Sequence, residues 1–338
     1  MNGFERIHKA LKGEWPDRRP VMLHNFMMAA KEAGYSMKEF RESPENAANA
    51  FIQSIEKYDL DGILIDFDTT LLAGAAGVSV DYPEHEPARL PSGLLRTWDQ
   101  FDELKEVDLS KNDRVQIWLE TCRLVKKHFG NEKFVRGNCD QAPFSMASMI
   151  RGTQDWMLDL MVPCEEVEKL LEYCTSIGIQ FIDLMATTGA DMVSNGDSPA
   201  GPEMISPEMF RQFALPYEKR LVDAAHARQL PYVNHICGNT SLILEDMLET
   251  GTDGLELDYK TDIHKICRAM GHKKLFIGNI DPSGVLALGS RQLVKQKTME
   301  LLEAYRDSAR LVVNAGCAIP PDTPSENIRE MIKTTHNF

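Results

Sequence analysis

The sequence predicts an α/β protein folded as a (β/α)8 barrel. Short apolar runs alternate with longer stretches of helical periodicity, eight such runs can be counted, and polar side chains gather where the runs end. Alternation of this kind belongs to parallel strands joined by crossover helices, and eight strands are the number that closes a barrel.

The first run is Pro20 to Asn25 (PVMLHN) and the second is Gly62 to Phe67 (GILIDF). Between them, Ser43-Pro44-Glu45-Asn46 opens the helical stretch AANAFIQSIEKY. Serine accepts a bond from an orphan N–H there, and proline fits the first helical position. The Pro-rich, irregular segment of about 78–114 reads as an insertion between the second strand and its helix, placed as a lid or hairpin over the barrel mouth. The third and fourth runs are Lys133 to Asn138 (KFVRGN) and Asp191 to Asn195 (DMVSN). Ser206-Pro207-Glu208 then starts the helix MFRQFALPYEKRLVDAAHAR, which leads to the fifth run, Pro231 to Ile236 (PYVNHI). Gly254 to Leu257 (GLEL) and Lys274 to Gly278 (KLFIG) follow, and Ser290 caps RQLVKQKTMELLEAYRD before the eighth run, Leu311 to Asn314 (LVVN). Barrels reach this length when they carry insertions, so one domain over residues 1–338 is expected. No internal repeat or low-complexity segment appears.

The content of 43% hydrophobic and 26% charged residues supports a sizeable core and excludes the disordered and membrane classes. A net charge of -14 repels phosphate backbones, and Lys126-Lys127-His128, the nearest approach to a basic stripe, reads as the last turn of a helix. Nucleic acid is therefore not an expected partner. The opening MNGFERIHKALKGEWPDRRP carries charges throughout, which argues against a secretion signal or a membrane span and for a cytoplasmic protein. Seven cysteines, at 122, 139, 164, 174, 237, 267 and 317, are scattered and odd in number. Free thiols or metal ligands suit that pattern better than a disulfide framework. Cys122, Cys174 and Cys267 are expected in the core.

A barrel does its chemistry at the C-terminal ends of its strands. Those ends offer His24, Asn25, Asp66, Asp68, Asn138 to Asp140, Asn195, Asp197, His235, Cys237, Glu256, Asp258, Asn279, Asp281 and Cys317. Any one of them could be a helix cap, but their accumulation on one rim points to a site. His235 and Cys237 are two apart in extended chain and so share a face. Cys317 follows the eighth strand, which looks across the mouth at the fifth. One nitrogen and two thiolates suit a catalytic zinc with a fourth position open, for which Asp197 and Glu256 are both candidates as a labile ligand. The bland alternative is two buried free cysteines beside a hydrogen-bonded histidine. Asp66, Asp197 and Asn195 are candidates for catalytic work, and His24, Asn25, Asp68, Cys139 and Glu256 for substrate binding. Met146, Met149 and Met157 are expected to pack in the core. Phe26, Phe67 and Phe144 are aromatic residues close to the rim.

Five segments carry a resemblance: GADMVSNGDSPAGPEMISPEMF (Gly189 to Phe210), NHICGNT around His235 and Cys237, GLELD (Gly254 to Asp258), IGNIDPSGVL (Ile277 to Leu286) and NAGCAIPPDTPSENI (Asn314 to Ile328). Together they resemble the uroporphyrinogen decarboxylase superfamily, nearly end to end, and within it the zinc-dependent methyltransferases that work with corrinoid proteins. The resemblance implies a uroporphyrinogen decarboxylase-like barrel, with Zn2+ held by His235, Cys237 and Cys317. It implies a corrinoid (cobalamin) carried by a partner protein, a small methyl donor or acceptor, and a homodimer as an allowed assembly. Either a methyl ether such as a methoxylated aromatic is demethylated, or a thiol such as coenzyme M is methylated. Leu71-Leu72-Ala73-Gly74 stands where coenzyme M methyltransferases often carry glutamate. The alternative is a porphyrinogen decarboxylase, but the arginine-containing motif of that branch is missing from HNFMMAAKEAGY after the first strand.

Overall fold

The computed structural model describes residues 1–162 and 165–338, so Cys164 lies outside the described residues. Eight parallel strands run in the order of the chain: β1 (Met22–Leu23), β2 (Gly62–Ile65), β3 (Phe134–Gln141), β4 (Met192–Gly196), β5 (Tyr232–Ile236), β6 (Gly254–Leu257), β7 (Leu275–Ile280) and β8 (Leu311–Ala315). A parallel bridge from Val21 to Val313 brings the last strand back to the first. The expected fold is therefore the observed one, with strand ends displaced by at most three residues.

All eight strands are almost wholly buried, because helices cover the outside and side chains fill the inside. The N-terminal helix Gly3–Lys12 closes the bottom of the barrel, packing Ile7 and Ala10 against Met22, Phe134, Met192, Val233, Leu275, Ile277 and Val312. With that end plugged by apolar contacts, only the C-terminal end stays open for chemistry. The three serine caps read from the sequence all form: Ser43 accepts from Asn46 N, Ser206 from Met209 N and Ser290 from Leu293 N, each at 3.2 Å.

The irregular segment expected at about 78–114 lies two residues earlier and follows a short helix after β2. That helix, Leu71–Ala75, comes first, and residues 76–112 are then irregular apart from two 3-10 turns. Asp81 and Arg89 pair in an antiparallel bridge, and the backbone of Leu94 and Leu95 is tied to Ile150 O. Pro87, at the tip of that small hairpin, borders the open end of the barrel. Among the described residues, no helix is long and apolar enough to cross a membrane.

Candidate metal centre

His235 lies in β5, where its Nδ1 stands 3.0 Å from the carbonyl oxygen of Glu256. A carbonyl only accepts, so Nδ1 carries a proton, and Nε2 is the atom that would bind a metal on giving up its own. That Nε2 is 3.1 Å from Cys237 Sγ, and Cys237 Sγ is 3.6 Å from Cys317 Sγ. All three atoms lie within 4.8 Å of one another. Two sulfurs bound to one zinc at about 2.3 Å, at the tetrahedral angle, stand roughly 3.8 Å apart, so the observed spacing fits a shared ion. The donor set of one imidazole and two thiolates suits the same borderline-soft metal.

Two glycines make the approach possible. Gly238 has φ +86, the left-handed region a side chain resists, and its N–H donates to Asp258 Oδ2 at 2.9 Å. At Gly316 a Cβ would stand 2.8 Å from Tyr259 N and 2.9 Å from Leu257 O, so only glycine lets the end of β8 lie against the loop after β6. A hydrogen bond from Cys317 and the charge of His235 together hold the Cys237 thiol well below its ordinary range, against the opposing effect of burial. The proton therefore stays on Cys317, which its neighbour Cys237 and burial push up.

Below the three ligand atoms is a cavity of about 400 Å³. Its floor is a charged network. Arg136, buried in β3, donates to Glu256 Oε2 and to Ser194 Oγ, and Asn138 donates to Asp66 Oδ1 at 2.8 Å. His24 faces Asp66 Oδ2 with Nε2 at 2.7 Å and Glu256 Oε1 with Nδ1 at 3.4 Å. Burial alone would lower its pKa, but the two carboxylates raise it to about 9, so His24 is an imidazolium at neutral pH. Burial works the other way on Glu256, yet Arg136 and the two histidines keep its carboxyl well below the usual range.

His24, Asp66, Asp68, Asn195 and Glu256 border the cavity with the three ligand residues, whereas Asn25, Cys139 and Asp197 do not. Strand alternation is the reason. His24 faces inward, so Asn25 faces the helices and bonds Ser54 Oγ at 2.9 Å. In β3 the register shifts between Asn138 and Gln141, both of which line the cavity, while Cys139 is wholly buried in the outer core. Asp197 points away as well, accepting from Ser145 N at 2.8 Å and capping the helix Pro143–Arg151. Asn195 borders the cavity with both ends of its amide engaged, by Cys139 O at 2.5 Å and the Tyr232 hydroxyl at 3.0 Å. Neither candidate for a fourth ligand reaches the metal position: Asp197 is behind the strand, and Glu256 is held by Arg136 and His24.

The remaining side chains near the rim divide between cavity and core. Met146, Met149 and Met157 pack in or against the core as expected, and Met149 also lines the cavity. Of the three aromatics, Phe26 reaches the cavity, and Phe67 and Phe144 pack tilted or edge-on against Trp118 and Trp156 in the core. Arg136 was not singled out from the sequence, although its spacing from Asn138 along β3 puts both on the inner face.

The profile of the family described as uroporphyrinogen decarboxylase (URO-D) matches residues 2–338. The chain belongs to that family. Within the family it is similar to the methylcobamide:CoM methyltransferase MtbA of Methanosarcina acetivorans, 27% identical over 339 residues, covering 99% of this chain and 97% of the relative. It is also similar to the uroporphyrinogen decarboxylase of Prochlorococcus marinus (strain MIT 9301), 28% identical over 301 residues, covering 86% and 84%. The barrel matches the structure of a methyltransferase from Methanosarcina mazei with a TM-score of 0.87 at 24% identity, over 100% of this chain and 99% of that one.

Proposed function

We propose that this family member is a zinc-dependent methyltransferase that moves a methyl group between a corrinoid protein and a small substrate. The observation that carries the reading is the meeting of His235 Nε2, Cys237 Sγ and Cys317 Sγ over a closed-bottom cavity. The relatives named methylcobamide:CoM methyltransferases, which span nearly the same length, support it.

Zinc held by these three residues would supply Lewis acidity to the heteroatom that gains or loses the methyl group. The residues around it divide the remaining work. Glu256 orients His235 through its carbonyl and steadies His24 through its carboxylate. His24 and Asp66 form a hydrogen-bonded acid–base pair at the cavity wall, with the proton between His24 Nε2 and Asp66 Oδ2. With a thiol as acceptor, the partner's corrinoid would supply the methyl group and retain the electron pair of the broken bond, and Asp66 is placed to take up the thiol proton. With a methyl ether as donor, the flow reverses and His24 is placed to give the departing oxygen its proton. The partner is expected to approach the open C-terminal end, since the N-terminal helix blocks the other.

Decarboxylation of a porphyrinogen acid is the rival within the family. Metal analysis and a methyl-transfer assay separate the two. The purified protein is expected to hold about one zinc per chain and to methylate thiols from free methylcobalamin or demethylate methoxylated aromatics with cob(I)alamin. Cys237→Ala is expected to lose both metal and turnover while keeping its circular dichroism. Absence of zinc, with decarboxylase activity that survives a strong chelator, would overturn the reading.

A further inference from the structure

The cavity has a charge balance that constrains its substrate. The basic side chains that line it, among the described residues, are His24, Arg136 and His235. His235 is turned to the sulfurs, Arg136 is ion-paired with Glu256, and His24 lies between Asp66 and Glu256. None of these side chains is left to receive an anion away from the metal position. One carboxylate, by contrast, has no counter-ion in the cavity. Asp68 is buried to 8% exposure, its Oδ1 accepts from Thr70 N at 2.8 Å and Thr70 Oγ1 at 3.0 Å, and no ion pair reaches it among the described residues. The cation that acts on it from farther away is Arg41, whose guanidinium is engaged by the carbonyls of Pro83 and Glu86. The rest of the wall is apolar, with Phe26, Leu64, Pro87, Met149, Pro199 and Ala318. Its volume of about 400 Å³ lies near the lower end of the roughly 300–1,000 Å³ of ligand cavities and suits a small molecule.

We infer that the small substrate of this site is uncharged, with an apolar body and a hydrogen-bond donor turned toward Asp68, and that Asp68 excludes anionic molecules of the same size. The inference rests on the methyl-transfer reading and narrows it. CoM, the acceptor in the names of the similar methyltransferases, is a thiol that ends in a sulfonate, so this chain is predicted to differ from them in what it accepts. A buried carboxylate with no counter-ion repels an entering anion through a low-dielectric wall, where a single charge acts far more strongly than in water.

The test is a matched pair of thiols of equal length, 2-mercaptoethanol and 2-mercaptoethanesulfonate, titrated calorimetrically into the zinc-loaded protein. A second pair, 2-methoxyphenol and 2-methoxybenzoate, is assayed for demethylation with cob(I)alamin. The uncharged member of the thiol pair is expected to bind about tenfold or more tightly than the anion, the effect of one incompletely screened charge a few ångströms away. The kcat/KM values of the ether pair are expected to follow the same order. Asp68→Asn should bring the ratio of uncharged to anionic binding close to one. Equal or tighter binding of the sulfonate by the unaltered protein overturns the inference, and an unchanged ratio in Asp68→Asn overturns the role of Asp68. The underlying reading fails separately, when the thiols bind in the expected ratio but neither is methylated by methylcobalamin. A protein that takes up no zinc overturns both.

Discussion

Cys237 and Cys317 are 80 residues apart in the chain, and their sulfurs are 3.6 Å apart. Nothing local brings them together: the first follows β5, the second follows β8, and only closure of the barrel makes them neighbours. Each is therefore a readout of the other's position. Cys317→Ser is expected to weaken zinc binding by more than the roughly 10–100-fold that loss of an outer-shell partner costs. It should abolish methyl transfer, with little change in the unfolding midpoint of the metal-free protein. Competition with a chromogenic chelator measures the first effect. Zinc affinity indistinguishable from the unaltered chain would show that the two sulfurs do not share an ion.

The ion pair between Arg136 and Glu256 joins residues 120 positions apart on the inside of the barrel, both almost fully buried. Such a pair gains little over an apolar filling, but breaking it from one side leaves a charge in a dry interior. Arg136→Met is thus expected to destabilise the protein by about 3–5 kcal/mol, because Glu256 would keep its charge with only the two histidines, His24 and His235, to face it. Arg136→Met combined with Glu256→Gln should recover part of that loss. Urea unfolding of the four proteins gives the coupling, and a double variant no more stable than Arg136→Met alone would count against it.

What could be read from the sequence follows from which features are local. Strands buried on both faces show as unbroken apolar runs, so GILI in β2 and LVV in β8 needed no partner to be recognised. His235 and Cys237 were legible because two positions apart in a strand means one face, whatever surrounds it. The direction of that face is a different matter. Asp197 and Asp66 both follow an apolar run with a polar side chain, yet one caps the helix Pro143–Arg151 and the other meets His24. The phase of each strand relative to the barrel axis decides this, and the irregularity between Asn138 and Gln141 shifts that phase in β3. Arg136 escaped notice for a related reason. Its counter-ion comes from β6, and a lone arginine inside an apolar run gives no hint of where its partner sits.

Gly316 provides a test of geometry that leaves every ligand in place. A methyl group there would meet backbone atoms of Leu257 and Tyr259, which cannot swing aside as a flexible side chain would. Gly316→Ala should therefore displace the end of β8 and with it Cys317. Zinc affinity is expected to fall by about tenfold or more, comparable to loss of an orienting partner, while the circular dichroism spectrum is unchanged. Gly77→Ala, where the nearest contact is Leu94 Cδ2 at 3.6 Å, is a control remote from the metal, with strain at its own positive φ but no effect on zinc.

The buried carboxyls of Asp197 and Glu218 predict a pH effect on stability. Burial raises both, Asp197 to about 6 and Glu218 well above its usual value, and the two carboxyls act on each other behind β4 and β5. An acid whose pKa is higher in the folded state contributes its full stability below the unfolded value, 3.8 for Asp197, and loses it as the pH rises through the folded value. Asn234 Nδ2 holds Glu218 Oε2 at 2.6 Å and Ser145 holds Asp197, so neither side chain can turn to water to escape the cost. Between about pH 4 and about pH 7 the unaltered protein is therefore expected to lose more stability than Asp197→Asn, which has no charge to bury at that position. Urea midpoints of the two proteins across that range give a difference that should change steadily with pH in favour of the variant. Parallel curves would mean that Asp197 ionises in the folded state as easily as in the unfolded chain, and that burial there imposes no electrostatic cost.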